Sequence, residues 1–311
     1  MFTFVSRPLR RAVAVTSALA AAAVLVVTTA KDAPTSPTAP DSAQAAHTDR
    51  APLLQQAAAD GTGLFPLLTR DKNGRLFDHE PKGTGGFAAK FDLGGGYSGA
   101  TALAQANVSR SQTGTDLYAV IDGTLYFTAE RGADTKVLGT GWDKYNLLVS
   151  VGDMGGGAQP DLLARDKDGA LWLYQGRAGG TLATRVRAGA AGWNGMNELA
   201  GRGDYTGDGK ADLVARSTTG TLYVYPGTGN VTADAVLGTR VTVAAPTGTA
   251  WKDYTALVSS GDNDGDGKPD LIGVDSAGAL WLFKGTGKSS APFAARTQIG
   301  TSGWTAYNLL F

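Results

Sequence analysis

The sequence contains no cysteine and only two histidines among its 311 residues. Without cysteine there can be no disulfide framework, zinc ribbon, iron–sulfur cluster or thiol nucleophile. Any metal must be held by oxygen atoms or by one of the two imidazoles, which favours hard cations. The 28 basic and 28 acidic residues give a formal net charge of zero. Since no basic run lies beyond the N-terminus, we expect no nucleic-acid partner.

Residues 1–30 have the pattern of an export signal. A basic segment ending in Arg10 and Arg11 precedes an uncharged apolar stretch, residues 12–27, and small residues follow up to Ala30. The apolar stretch is short for a bilayer. We therefore expect a cleaved signal peptide, a secreted extracellular protein and no membrane span in the mature chain. The arginine pair leaves a twin-arginine export route open beside the ordinary secretory one.

The composition changes twice after this segment. Residues 31–60 are rich in Pro, Thr and Ala, a composition that buries little and favours extended chain, so they are predicted to form a linker. Residues 61–311 are predicted to form one repeat domain. Helical periodicity is absent from this domain, which excludes an amphipathic bundle.

The repeat is marked by an aromatic residue that follows a glycine-rich turn in five successive units. These residues are Tyr97, Trp142, Trp193, Trp251 and Trp304; we call their positions the aromatic slots. In three units an aspartate follows the slot after 19 residues and begins an apolar segment typical of a strand. A turn such as Asp-Gly or Asn-Gly and a second alternating segment come next, which is a strong hairpin signal.

Each unit therefore holds about four short strands. In the best-formed copy they are predicted at Leu147–Val151, Asp161–Arg165, Ala170–Tyr174 and Thr184–Ala188. Five such units predict an all-β fold, a β-propeller with five four-stranded blades. The chain ends one strand into a further unit, whereas the first unit, at Phe65, lacks its first strand. We predict that the C-terminal strand completes the N-terminal blade; an open β-solenoid is the alternative.

The most specific residues lie between the first two strands of a unit. Positions 1, 3, 5 and 9 of one nine-residue turn are carboxylates, and the carbonyl of position 7 is a natural backbone ligand; the turn comprises Asp262, Asp264, Asp266, Lys268 and Asp270. Such closely spaced carboxylates repel one another unless a cation neutralises them. Ca²⁺ prefers six to eight oxygen ligands from flexible turns, so we predict that Ca²⁺ binds here.

A second turn repeats this design with a threonine at position 3, and its predicted ligands are Asp204, Thr206, Asp208, Lys210 and Asp212. An EF-hand is excluded, because position 12 holds no acid in either turn and no helices flank them. Hydrated Asp-Gly surface turns are the plain alternative. Two further copies, 153–161 and 107–116, have lost ligand oxygens, and the sequence leaves open whether they bind metal.

These segments resemble known repeats. GDYTGDGKADLVAR and GDNDGDGKPDLIGV resemble the FG-GAP, or VCBS, repeats of extracellular propellers, whose aspartate-rich turn binds Ca²⁺. LGTGWDKYNLLVSVGD and DGALWLY resemble the blades of tachylectin, a five-bladed lectin for N-acetylated sugars. The resemblances imply a calcium-binding, lectin-like propeller, although FG-GAP propellers have seven blades and several turns here have lost acids.

The sequence gives no sign of an enzyme, and an extracellular hydrolase is the least favoured alternative. His47 lies in the linker and His79 beyond a hairpin, so no histidine triad is visible. A multivalent binding module is the leading expectation, with an extracellular glycan stacking on the slot aromatics Tyr97, Trp142, Trp193, Trp251 and Trp304. The alternatives are that these aromatics pack between blades, and that the partner is a cell-surface protein. We expect a monomer.

Overall fold

A computed structural model describes residues 63–109, 116–132 and 134–311. The predicted signal peptide (1–30) and linker (31–60) lie outside the described residues and stay predictions. The degenerate turn at 107–116 is described only at its two ends.

The described residues form five antiparallel four-stranded sheets, arranged as the blades of a five-bladed β-propeller. Blade 1 contains β1 (Leu67–Asp71), β2 (Leu76–His79), β3 (Phe91–Gly94) and β20 (Tyr307–Leu310). Blade 2 contains β4 (Ala100–Ala106), β5 (Asp116–Ile121), β6 (Thr124–Ala129) and β7 (Asp134–Thr140). Blade 3 contains β8 (Tyr145–Gly152), β9 (Asp161–Asp166), β10 (Leu171–Tyr174) and β11 (Val186–Gly189).

Blade 4 contains β12 (Met196–Ala200), β13 (Leu213–Ser217), β14 (Leu222–Tyr225) and β15 (Val241–Val243). Blade 5 contains β16 (Tyr254–Val258), β17 (Leu271–Asp275), β18 (Leu280–Gly285) and β19 (Phe293–Gly300). The predicted all-β, five-bladed fold is thus confirmed. Helical segments in the described part of the chain are 3₁₀ turns of three residues, such as Trp251–Asp253. None of these could cross a membrane.

The hairpin turns follow the predicted chemistry. In blade 2 only Asp122 and Gly123 separate Ile121 from its partner Thr124. Both turn residues have positive φ, 47° and 71°, as a type I′ turn requires. This turn matches the right-handed twist of the strands it joins, which explains why an Asp-Gly pair closes the hairpin here.

The last strand closes the ring as predicted. β20 pairs antiparallel with β1, so that Leu310 lies opposite Thr69. Leu68 N donates to Phe311 O at 3.0 Å, and Phe311 N donates to Leu68 O at 2.9 Å. The N-terminal blade therefore takes its first strand from the C-terminus, and the edge of β1 is not left open.

The hydrophobic core is divided among the five junctions between neighbouring blades. Each junction has its own cluster of buried residues contributed by both blades. At the junction of blades 5 and 1, for example, Leu67 packs with Ile272 and Leu282, and Leu310 of the closing strand lies against them. Ring closure thus completes one of the five parts of the core.

The first strand of every blade faces the axis of the ring. These strands, β4, β8, β12, β16 and β20, together line a central channel of about 110 Å³. Within each blade, the turn from the first to the second strand lies at one end of the strands. The connection to the next blade lies at the opposite end. The acidic turns therefore lie at one end of the ring and the aromatic slots at the opposite end.

We predict that deleting residues 304–311 will destabilise the domain and expose the edge of β1, which favours aggregation. Thermal unfolding and size-exclusion chromatography measure both effects. Deleting residues 31–50 of the predicted linker is the control and should leave stability unchanged. A monomeric 304–311 deletion variant with wild-type stability would contradict the closed ring.

Candidate functional site

The acidic turn of blade 5 brings three carboxylates together. Asp262, Asp264 and Asp270 each offer an oxygen, and these oxygens lie within 4.8 Å of one another. Asp262 Oδ1 accepts from Gly265 N at 2.7 Å, and its Oδ2 accepts from Gly267 N at 2.8 Å. The backbone of the turn thus fixes the first carboxylate in place before any ligand binds.

The other predicted ligands of this turn are arranged differently. Asp266 is not one of the three clustered residues, and its Oδ2 lies 3.6 Å from Lys268 Nζ. The Asp264 side chain is only 4% exposed, and its Oδ2 lies 2.5 Å from Lys284 Nζ. Lys284, on β18, was not among the predicted site residues. Its ammonium supplies a positive charge at the carboxylate cluster.

The acidic turn of blade 4 forms a similar cluster from Asp204, Asp208 and Asp212, whose offered oxygens also lie within 4.8 Å of one another. Thr206 lies beside it: its N donates to Asp212 Oδ2 at 2.9 Å, and its hydroxyl lies 3.4 Å from Asp204 Oδ1. Lys210 N donates to Asp208 Oδ1 at 3.0 Å. These two turns hold the acidic clusters found among the described residues.

The ninth aspartate of each turn also has a structural role, which the sequence reasoning missed. Asp270 is buried; its Oδ1 accepts from Gly285 N at 2.8 Å and its Oδ2 from Asn263 N at 2.9 Å. It therefore joins the acidic turn to the glycine at the end of the third strand. We call it, together with its counterparts in other blades, a bridging aspartate.

The bridge recurs in three more blades. Asp212 accepts from Gly227 N at 3.0 Å and Tyr205 N at 2.9 Å. In blade 3 Asp161 accepts from Gly176 N at 3.0 Å and from Gly155 N at 2.7 Å. In blade 2 the bridging aspartate is Asp116, which accepts from the backbone amides of Ser109 and Glu130. The bridge persists in blade 3, where positions 3 and 5 of the turn are glycines, so it does not depend on ligand oxygens.

A sequence signal for the bridge exists in three blades. A glycine stands 15 residues after the aspartate, at Gly176, Gly227 and Gly285. A Cβ at Gly176 would lie 2.1 Å from the carbonyl oxygen of Pro160, and the other two glycines are equally confined. No larger residue fits at these positions without moving the backbone. Only glycine can therefore bring its backbone amide within reach of the aspartate.

Burial raises the pKa of the bridging aspartates Asp161, Asp212 and Asp270 from 3.8 to about 7, although the donated amides oppose the rise. Burial also raises the pKa of Asp262. Desolvation thus penalises the charged form of each carboxyl. A proton or a metal ion would relieve this penalty.

The aromatic slots lie at the blade junctions, one at each. Tyr97, Trp142 and Trp251 belong to buried clusters, with exposed fractions of 2%, 9% and 3%. Trp193 and Trp304 are half-buried and pack against the clusters of their own junctions. Burial favours packing between blades as the role of Tyr97, Trp142 and Trp251. Trp193 and Trp304 keep accessible surface.

His79 is the one histidine in the described part of the chain, and it is buried in blade 1. Its Nε2 lies 3.1 Å from the hydroxyl of Thr69, which is also buried. Its ring packs 4.7 Å from that of Trp304, and burial lowers the pKa of the imidazole to about 4. The contacts of His79 are those of a core residue.

The raised pKa values predict a pH dependence of the calcium-free protein. Between about pH 4 and pH 7 the folded state keeps protons on Asp161, Asp212 and Asp270 that the unfolded chain has lost, so the free energy of unfolding falls as the pH rises. His79 opposes this trend, because its pKa is lowered and folding excludes its proton.

We therefore expect urea denaturation in chelator to show lower stability at about pH 8 than at about pH 5. Asp161→Asn removes one of these three carboxyls and should make the dependence shallower. A wild-type protein that gains stability steadily across this interval would contradict the prediction.

No protein family and no curated protein matches the sequence. Among solved structures, the chain is similar to the BP39L lectin from Burkholderia pseudomallei, with 16% identity, a TM-score of 0.43, and coverage of 78% of this chain and 69% of the lectin. It is also similar to a protein of unknown function from Bacteroides caccae, with 8% identity, a TM-score of 0.36, and coverage of 75% and 72%. A third similar structure is the Dos1 propeller, with 12% identity, a TM-score of 0.34, and coverage of 77% and 56%. Likenesses this distant carry no argument about function.

Proposed function

We propose that the protein is a secreted, non-catalytic recognition module that binds Ca²⁺ in the turns of blades 4 and 5 and an extracellular glycan at the opposite end. The observation that carries the proposal is the ring itself: five equivalent blade junctions, each with one aromatic slot. Weak sites repeated around a ring gain affinity for a polymer or a cell surface, because linking them raises the effective concentration.

The spacing of the clustered oxygens supports calcium. Ca²⁺ lies 2.3 to 2.6 Å from its ligands, so two oxygens on one ion are at most about 5 Å apart. The oxygens of Asp262, Asp264 and Asp270 lie within 4.8 Å of one another. Water and backbone carbonyls of the turn would complete the ligand set, with Thr206 contributing in blade 4. Bound calcium would neutralise carboxylates that burial disfavours in their charged form.

Lys284 has a defined place in this proposal. Its side chain is 49% exposed and its ammonium lies against Asp264, so it stabilises the cluster in the absence of a metal. A long exposed side chain can leave at small cost. Calcium would therefore replace the ammonium at Asp264.

Trp193 and Trp304 are the slot aromatics best placed to meet a sugar. Both lie in 3₁₀ turns at the end opposite the calcium turns and keep exposed surface. A planar indole suits the apolar face of a sugar ring. The proposed glycan sites are thus those of the junctions between blades 3 and 4 and between blades 5 and 1.

A cell-surface protein is the second candidate partner, and a separate observation favours it. At three outer strands an arginine, on the strand or directly before it, stacks on a half-buried aromatic of the neighbouring strand. The pairs are Arg185 on Trp172 at 3.7 Å, Arg296 on Trp281 at 3.8 Å and Arg240 on Tyr223 at 4.1 Å. Arginine and large aromatics are the residue types enriched at protein interfaces.

We predict that Ca²⁺ raises the melting temperature and that chelator reverses the effect. A site occupied at 100 times its dissociation constant adds about 2.7 kcal/mol. Asp264→Ala should remove much of the response, because it deletes a clustered ligand without deleting a bridging aspartate. Asp161→Asn is the matched control, since it weakens a bridge in a turn without the extra oxygens: it should lower the basal stability but keep the calcium response. Equal melting curves with calcium and with chelator would defeat the calcium proposal.

We predict that Trp193→Ala and Trp304→Ala will weaken retention on a polysaccharide resin or glycan array, while circular dichroism shows a folded domain. Trp251→Ala is the comparison: its indole is buried among Tyr254 and Phe283, so its loss should cost about 3 to 5 kcal/mol of stability. Unchanged retention of both Trp193→Ala and Trp304→Ala, or no retention of the wild type on any glycan, would contradict the glycan proposal and favour a protein partner.

A further inference from the structure

The central channel contains a buried cation that the proposed function does not use. Most residues that line the channel are apolar, and the two charged ones are Glu198 and Arg202. Arg202 follows β12 at the end of the ring that bears the acidic turns. Its side chain is therefore placed at one mouth of the channel.

Arg202 is fixed at this mouth by its burial, its contacts and its backbone conformation. The residue is only 5% exposed. Its Nη2 donates to the carbonyl oxygen of Gln105 on β4 at 2.7 Å, and its guanidinium lies 5.1 Å from the ring of Phe65. Its backbone φ is +74°, a conformation that costs a non-glycine residue free energy and persists only where the surroundings impose it. The blade-to-blade contacts thus hold the guanidinium in one position.

The guanidinium is incompletely satisfied by the described residues. Its Nη1 is buried and donates to no atom in this part of the chain. No carboxylate of the described residues forms an ion pair with it; Glu198, the acid in the channel, instead lies 3.3 Å from Arg216 Nη2. Glu198 lies on β12, four residues before Arg202 in the sequence. A buried cation without a counter-charge is unfavourable, so this mouth is suited to an anion.

The size of the channel limits what can enter. Its volume is about 110 Å³, whereas one water needs roughly 10 to 15 Å³ on the same measure. Several waters or one small anion fit, but a sugar ring with its substituents does not. Ser150 lines the same channel, and its hydroxyl can donate to an anion.

We propose that the mouth of the central channel at Arg202 binds a small tetrahedral oxyanion, sulfate or inorganic phosphate. The anion accepts from the buried Nη1 and supplies the negative charge that the described residues lack. Since Arg202 belongs to blade 4 and contacts Gln105 of blade 2 and Phe65 of the segment before blade 1, the anion stabilises the closed ring. This site is distinct from the calcium turns, whose ligands are themselves anionic, and from the aromatic slots at the other end.

Isothermal titration calorimetry with sulfate tests the proposal. The full mature chain is used, in EDTA to keep the calcium turns empty, with chloride balancing the ionic strength. The chelator separates this test from the calcium proposal. We expect saturable binding of one sulfate per chain and a sulfate-dependent rise in melting temperature.

Arg202→Met should abolish both signals, and Arg202→Lys should weaken binding about tenfold or more, because an ammonium is a point charge without the planar fork of guanidinium. Arg187→Met removes an exposed arginine of β11 and is the control that should bind sulfate as the wild type does. Should Arg202→Met fail to fold, the Arg202→Lys titration decides. A wild type with no heat beyond the chloride control, or an Arg202→Lys variant that binds as the wild type does, would overturn the proposal; in that case the guanidinium is hydrated.

Discussion

The arrangement of the acidic turns depends on one buried interaction, the bridging aspartate at the start of the second strand. In blade 5 the carboxylate of Asp270 accepts from the amide of Asn263 in the turn and from the amide of Gly285 at the end of the third strand. Removing such a carboxylate would leave two buried amides without a partner, which is costly. Because the bridge fixes the turn without a metal, the other acids of the turn are held close together before a cation arrives. Blades 2 and 3 also have a bridging aspartate. The proposed calcium site adds further ligand oxygens to this structural bridge.

The same topology separates the two proposed activities. The turns that join first and second strands lie at one end of the ring, and the aromatic slots between blades lie at the other. Each slot aromatic packs at a different junction, so recognition at the exposed Trp193 and Trp304 would draw on residues that also hold neighbouring blades together. Closure by β20 completes the last junction, where Trp304 packs near Phe87 and His79. Ligand binding and ring stability are therefore expected to be coupled.

Much of the fold could be predicted from the sequence because it repeats. The slot spacing, the Asp-Gly and Asn-Gly turns and the two incomplete end units gave the blade number and the closure, since each is a local pattern read several times. The clustering of Asp262, Asp264 and Asp270 also followed from spacing, because one short turn contains them. Asp266 lies outside the three-oxygen cluster, a detail of rotamer and backbone that spacing does not determine.

The remaining features come from contacts between distant parts of the chain. Lys284 reaches Asp264 from the third strand, and Arg202 meets Gln105 across the ring, 97 positions away in sequence. The burial of Trp142 and Trp251 depends on how adjacent blades pack, so the sequence left their two roles open. The glycines that donate to the bridging aspartates did carry a sequence signal, because they stand at a constant number of residues after the aspartate. The reason for this spacing is clear only from the pairing of the strands in the sheet.

The claim that the acidic turns bind calcium is tested most directly by anomalous diffraction from crystals of the mature domain grown with a calcium-mimicking lanthanide such as Tb³⁺. We expect one anomalous peak among Asp262, Asp264 and Asp270, with Lys284 withdrawn from Asp264, and a second peak among Asp204, Asp208 and Asp212. We expect no peak at the glycine-rich turn 153–161. Absence of a peak at both acidic turns, with Lys284 still against Asp264, would contradict the claim.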